Sequence, residues 1–155
     1  MCSSVIEILE KNDIKYTLKQ HKSDVFTCED AARERGVRLS QILKCMIGED
    51  INGVVYVMLI PGDKTLKIKR VRHIAGGIKI DLIAPEELKQ KFNLTVGAIS
   101  PLQFINKAKF FVDKTVLNEN TIDISSGMPD AGVELKTDDL LQLLQPVLCD
   151  IISQN

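Results

Sequence analysis

The sequence predicts an α+β fold, and three observations carry that expectation. Helical and strand patterns mix along the chain without the regular alternation of a doubly wound sheet. One segment, Val54-Val55-Tyr56-Val57-Met58-Leu59-Ile60, is apolar at every position, as a strand buried on both faces would be. The 155 residues, 45% hydrophobic and 26% charged, suffice for one core, so a single domain over residues 1–155 is expected. The same composition excludes a disordered chain and a disulfide-dense scaffold. No apolar run approaches the ~20 residues needed to span a bilayer. Residues 1–7 lack a basic leader, so the expectation is a cytoplasmic protein with no membrane association.

The elements follow in order. Ser3 or Ser4 caps a first helix with Val5, Ile8 and Leu9 on one face and Asn12 near its end. Residues 16–19 alternate as a short strand. Thr27-Cys28-Glu29-Asp30 reads as a helix start, with Gly36 as its stop. Residues 42–47 and 54–60 form two strands joined through Asn52-Gly53, and Pro61-Gly62-Asp63 ends the second. A basic helix from about Leu66 to Ala75 stops at Gly76-Gly77, and residues 78–82 alternate as a strand. Pro85, followed by Glu86 and Glu87, opens a helix ending near Asn93. Residues 109–113, 121–125 and 133–136 are further strands. Thr137-Asp138-Asp139 caps a last helix with a Leu140, Leu143, Leu144, Val147 stripe, and Pro146 ends or kinks it although the apolar pattern resumes to Ile152.

Chemistry enters mostly by exclusion. Phosphate-loop, dinucleotide-loop and hydrolase-elbow motifs are absent. Cys2, Cys28, Cys45 and Cys149 lack a C-x-x-C spacing and His21 and His73 stand far apart, so no metal site is expected and the thiols read as reduced. A net charge of −1 argues against a polycation that coats DNA. From Lys64 to Ile80, however, six basic residues occur without an acid, including Lys67, Lys69, Arg70 and Arg72; they form either a solvated helix face or a phosphate-facing patch. Lys44 interrupts an otherwise apolar strand and points either to solvent or into a cleft as a ligand-facing cation. Two glycine-bearing loops, Val96-Gly97-Ala98-Ile99-Ser100-Pro101 and Ser125-Ser126-Gly127-Met128-Pro129-Asp130-Ala131-Gly132, read either as plain turns or as backbone that approaches a ligand.

In order, His21 after the first strand, the helix from Thr27, Lys44, Pro61-Gly62-Asp63, the loop from Gly97 to Pro101, Asp113, residues 125–132 before a Val-Glu-Leu strand, and Asp139-Leu140 resemble the YbaK/prolyl-tRNA synthetase-associated editing domain family. The resemblance covers about residues 3–145. It implies a mixed, mostly antiparallel, barrel-like sheet flanked by helices. It also implies hydrolysis of the ester that joins a wrong amino acid to the terminal adenosine of a tRNA, without metal or organic cofactor. The family's strand lysine matches Lys44, and its Gly-x-x-x-Pro loop matches Gly97 to Pro101.

On that resemblance Lys44 and the Gly97 backbone are the catalytic candidates. Lys44 would hold a terminal phosphate or the aminoacyl carbonyl. His21, Phe26, Cys45, Ala98, Ile99, Ser100, Pro101, Ser125, Ser126 and Gly127 are the substrate-binding candidates, and Lys67, Lys69, Arg70 and Arg72 the tRNA phosphate patch. The implied substrate is a small amino acid such as Ala or Cys, on tRNA(Pro) among others, with a synthetase as a further partner. The sequence departs from the Cys-directed branch of the family at Cys45 and in the second loop, Ser125-Ser126-Gly127-Met128-Pro129-Asp130, from Ser126 to Pro129, and Ala98 replaces a second glycine of the first loop. Two rival functions therefore stand beside hydrolysis: a non-catalytic module that binds a tRNA end or aminoacyl-adenosine, and a domain that docks on a synthetase.

Overall fold

The computed structural model describes residues 4–153. Cys2 and Ser3, named above, lie outside them. Five helices, α1 (Ser4–Lys11), α2 (Cys28–Arg35), α3 (Ile68–Ile74), α4 (Pro85–Phe92) and α5 (Thr137–Leu144), accompany eight strands. The strands are β1 (Tyr16–Gln20), β2 (Leu43–Asp50), β3 (Val55–Pro61), β4 (Ile80–Leu82), β5 (Lys109–Asp113), β6 (Thr121–Ser125), β7 (Ala131–Lys136) and β8 (Val147–Cys149).

The strands form two sheets, ordered β1-β7-β6 and β4-β2-β3-β5-β8. Pairing is antiparallel except where β5 runs parallel to both β3 and β8, so the mixed, mostly antiparallel α+β class holds. The barrel-like expectation is corrected in one respect. The sheets do not close into a barrel; they meet edge to edge at an isolated parallel bridge between Ile42 and Asp123. Between them lies the main core, to which α1 contributes Val5 and Leu9, β3 Val57 and Leu59, β6 Ile122 and Ile124, and α5 Leu140 and Leu144.

The second face of the larger sheet is buried too. Tyr56, Met58 and Ile60 pack there with Phe111, Cys149 and Val71 of α3. This explains why β3 is apolar throughout: it is central in its sheet and covered on both faces. It also explains α3, whose apolar side covers the sheet and leaves Lys69 and Arg70 outward. The β2–β3 turn is organised by Asp50, whose Oδ1 accepts from the amides of Asn52 (2.8 Å) and Val54 (3.0 Å) and whose Oδ2 accepts from the Tyr56 hydroxyl (2.8 Å).

Element ends differ from expectation where tertiary bonds compete. Helix α3 begins at Ile68 because Leu66 bridges to Ile152 and the Lys67 amide donates to the Ile151 carbonyl at 2.7 Å. Strand β4 shortens to three residues, since only these pair with β2. Thr137 does not cap α5; its hydroxyl donates to the Glu119 carbonyl at 2.5 Å. Gln145 in the left-handed region ends α5 before Pro146, and the resumed apolar stretch is β8, with Val147 exposed rather than part of the helix stripe. Thr27 caps α2 as read, accepting from the Asp30 amide at 3.0 Å.

Asp113 ties the C-terminal strand region to the sheet. It is 1% exposed, its Oδ2 accepts from the Thr115 amide (3.0 Å) and hydroxyl (2.5 Å), and its Oδ1 accepts from the Ile151 amide (2.8 Å). Removing it strands buried donors. Asp113→Ala is expected to lower unfolding free energy by about 3 kcal/mol, read as a reduced urea midpoint; an unchanged midpoint would refute this role.

Candidate active site

The site arises where β2 runs out of partners. β2 pairs with β3 along its length but with β4 only at Gly48, Glu49 and Asp50. The Ile47 carbonyl accepts from the Ile83 amide at 2.9 Å and the Ile42 carbonyl accepts from the Gly62 amide at 2.7 Å. Backbone groups therefore alternate, even-numbered residues facing β3 and odd-numbered ones facing away. Between the Ile42 bridge and Ile47, the amide and carbonyl of Cys45 face outward with no strand beside them.

A cleft of about 510 Å³ opens over this edge. Residues 43–47 form its floor, α2 and the loop before it one wall, and Leu82 to Pro85 with Leu88 of α4 the other. Val96, Gly97 and Ile99 close it above, and Ser125 stands at the end of β6. The lining is mostly aliphatic. Among the described residues its charged side chains are Lys44 and Arg35, and no carboxylate lines it.

Gly97 sits at φ +90°, and a Cβ there would lie 2.0 Å from the Val25 carbonyl oxygen. Two backbones thus meet directly across the cleft, which only glycine permits. Lys44 lies on the floor with its Nζ donating to the Lys64 carbonyl at 2.8 Å. Phe26 lies at the cleft wall, 57% exposed, a large aromatic face open to a planar ligand. Cys28 and Cys45 also line the cleft. Burial pushes the Cys45 thiol up to about 12, and burial also raises Cys28 despite the nearby charges of Lys44 and Arg35. Neither is poised as a thiolate. Thr27 uses its hydroxyl as a helix cap. Among the described residues, then, the cleft holds no nucleophile paired with a base.

Of the residues singled out in the sequence, Phe26, Lys44, Cys45, Gly97, Ile99 and Ser125 line the cleft together. Ala98 is buried behind the loop, and Ser100 and Pro101 start a 3-10 turn in which the Ser100 amide donates to Gln103 Oε1 at 2.8 Å. Ser126 and Gly127 serve their own loop: Ser126 Oγ donates to the Ala131 carbonyl at 2.7 Å, and the Gly127 amide donates to Ser125 Oγ at 3.0 Å. His21 lies off the cleft, tied by its amide to the Asp130 carbonyl (2.7 Å). Lys69 and Arg70 border a separate hollow with His73 and Lys114. Arg72 is engaged internally, its Nε donating to the Ile80 carbonyl (2.8 Å) and its Nη2 pairing with Asp81 (3.1 Å).

The sequence reading passed over Arg35, Cys28, Val25 and the α4 wall. Arg35 is 9% exposed and reaches the cleft from the last turn of α2. Its Nε donates to His21 Nε2 at 3.1 Å, leaving the ring hydrogen on Nδ1, which donates to the Pro129 carbonyl at 3.0 Å. Beside it, Asp123 is fully buried opposite Glu134 on β7. Burial first, and the adjoining Glu134 carboxylate second, push Asp123 up to about 7; Lys19 and Arg35 act against this. Against its partial burial, hydrogen bonds from the Lys19 ammonium (Nζ–Oε2 2.5 Å) and Asp123 hold Glu134 below the usual carboxylate range.

A family model described as the aminoacyl-tRNA editing domain matches residues 22–143. The multifunctional Ser/Thr-tRNA deacylase ProXp-y of Escherichia coli (strain K12) is 28% identical over 149 residues, covering 93% of this chain and 88% of its own. A solved structure of a hypothetical protein aligns with a TM-score of 0.88 at 26% identity, over 96% of this chain and 99% of that one. Another, described as a candidate trans-editing enzyme for prolyl tRNA synthetase, aligns at 0.83 with 20% identity over 99% of both.

The Asp123 shift has a thermodynamic consequence. A carboxyl whose folded pKa exceeds its unfolded value keeps its proton in the native state after the unfolded chain has lost it, so stability falls as pH rises from about 4 to about 7. Glu134, shifted down, acts in the opposite sense and only at more acidic pH. Thermal unfolding between about pH 5 and pH 8 is therefore expected to show a midpoint that declines with pH. Asp123→Asn should flatten that decline, and equal slopes in both proteins would contradict the assignment.

Proposed function

The chain belongs to the aminoacyl-tRNA editing domain family, and from that premise we propose that it is a trans-acting deacylase. Its substrate in this reading is the ester between a small amino acid and the terminal adenosine of a misacylated tRNA. The observation that carries the reading is the cleft itself: apolar walls, an exposed aromatic, two cations, outward backbone dipoles and, among the described residues, no nucleophile paired with a base.

Such a cleft suits an ester that is already activated. Water attacks the acyl carbon, the bond to the ribose oxygen breaks, and that oxygen takes a proton, releasing free amino acid and intact tRNA. The neighbouring ribose hydroxyl is the base-assisting group nearest the reaction, so the protein needs only to orient ester and water and to stabilise the developing oxyanion. Backbone groups of Cys45 and Gly97 provide fixed dipoles on opposite sides. Lys44 offers positive charge to the acyl carbonyl or a phosphate, and Phe26 a face for the adenine ring. The aliphatic lining favours a small side chain: Ala or Cys, or Ser or Thr, the latter two being those in the ProXp-y relative's name. tRNA(Pro) is the first acceptor to test.

Outside the cleft, Lys67, Lys69 and Arg70 are the patch for tRNA phosphates, and Arg72, bound to Asp81, contributes less. No helix among the described residues is long and apolar enough to cross a membrane. We place the activity in the cytoplasm, where tRNA is aminoacylated, with a synthetase as the source of the erroneous product.

The test is deacylation of Ala-, Cys-, Ser- and Thr-tRNA, each on tRNA(Pro) and on its cognate tRNA. At least one is expected to be hydrolysed, with Lys44→Ala slowing that reaction roughly a hundredfold or more while remaining folded. A folded mutant acting at wild-type rate would remove Lys44 from the chemistry. Tight binding without turnover of any substrate would leave a recognition module instead.

A further inference from the structure

Lys44 is not the only cation facing the cleft, and Arg35 is held there in a way that a merely structural arginine does not require. Its side chain lies flat across β7 at Gly132, where a Cβ would fall 2.0 Å from Nε and 2.2 Å from Cζ. With a glycine at this point of the strand, the guanidinium lies directly against the β7 backbone. The roll of the planar group is fixed by the bond from Nε to His21, itself fixed by Pro129. Asp123 lies near enough to influence Arg35 electrostatically, but no ion pair forms between them. Among the described residues neither Nη atom has a hydrogen-bond partner, and Arg35 lines the cleft together with Ser125, the β6 partner of Gly132.

A buried, oriented guanidinium with two open N–H edges is a receptor for a tetrahedral or planar oxyanion. Among the described residues no carboxylate lines the cleft, and Asp123 acts on the guanidinium without forming an ion pair. We propose that Arg35 binds the 5′ phosphate of the terminal nucleotide, and that His21 positions it without touching the ligand. This assigns the phosphate to Arg35 and leaves Lys44 for the acyl carbonyl. The identity of the anion as a nucleotide phosphate rests on the deacylase reading; the site as an anion receptor does not.

The experiment is a binding measurement, so that its failure is separable from a failure of hydrolysis. AMP and adenosine are titrated calorimetrically into wild type, Arg35→Gln and Arg35→Lys, with thermal unfolding of each as a control. Wild type is expected to prefer AMP over adenosine by about tenfold to a hundredfold, the range of a charge-assisted bond. Arg35→Gln should bring the two ligands near parity, and Arg35→Lys should keep a reduced preference. Equal binding of both ligands by wild type, binding of neither, or an AMP preference that survives in folded Arg35→Gln each overturns the proposal. If Arg35→Gln does not fold, Arg35→Lys decides: an undiminished preference overturns the assignment and a diminished one supports it.

Discussion

Everything distinctive about this molecule depends on the incomplete pairing of β2. A strand edge within a folded core normally finds a partner, because unsatisfied backbone groups away from water are costly. Here the Ile42 bridge to Asp123 ties one end of β2 to the smaller sheet, and β4 takes the other end from Gly48 to Asp50. The result is a cleft whose floor carries oriented peptide dipoles.

The walls are held by two close approaches of the same kind. Gly97 lets its loop rest against the Val25 carbonyl, and Gly132 lets Arg35 lie on β7. Both remove a side chain to bring a rigid polar group to a chosen place. The first aligns the loop above the cleft; the second brings a cation through a sheet surface that would otherwise exclude it. Among the described residues no carboxylate lines the cleft, and the nearby pair Asp123 and Glu134 is approached by Lys19. The cleft is thereby left electropositive within apolar surroundings, where fixed charges and dipoles act with little screening. That environment suits the proposed hydrolysis of an activated ester without a catalytic dyad.

Much of the framework was legible in the sequence because local signals and tertiary demands agreed. The Thr27 cap, the apolar run of β3, Pro85 at the start of α4 and the Asn52-Gly53 turn all mean in the fold what they mean locally. Disagreement came where long-range bonds won: Thr137 bonds to Glu119 instead of capping, and Leu66 pairs with Ile152 instead of starting a helix. For the site, Lys44 stood out as a charge in an apolar strand, yet whether it faced a cleft could not be read from alternation. Arg35 was invisible for a different reason. At the end of a basic-tipped helix it reads as an ordinary partner of the helix dipole, and its burial depends on Gly132, nearly a hundred residues away. His21 drew notice as a lone histidine; its partner could only come from the fold.

The most direct measurement is a crystal structure with a 3′-aminoacylamino-3′-deoxyadenosine 5′-phosphate, in which an amide replaces the labile ester. The fold predicts the acyl group between the Gly97 loop and the open edge of β2 at Cys45, with Lys44 within hydrogen-bond distance of the acyl oxygen and the adenine against Phe26. A ligand seated elsewhere, on the hollow beside α3 for instance, or a cleft left empty at saturating concentration, would contradict the assignment of this cleft as the site of ester hydrolysis.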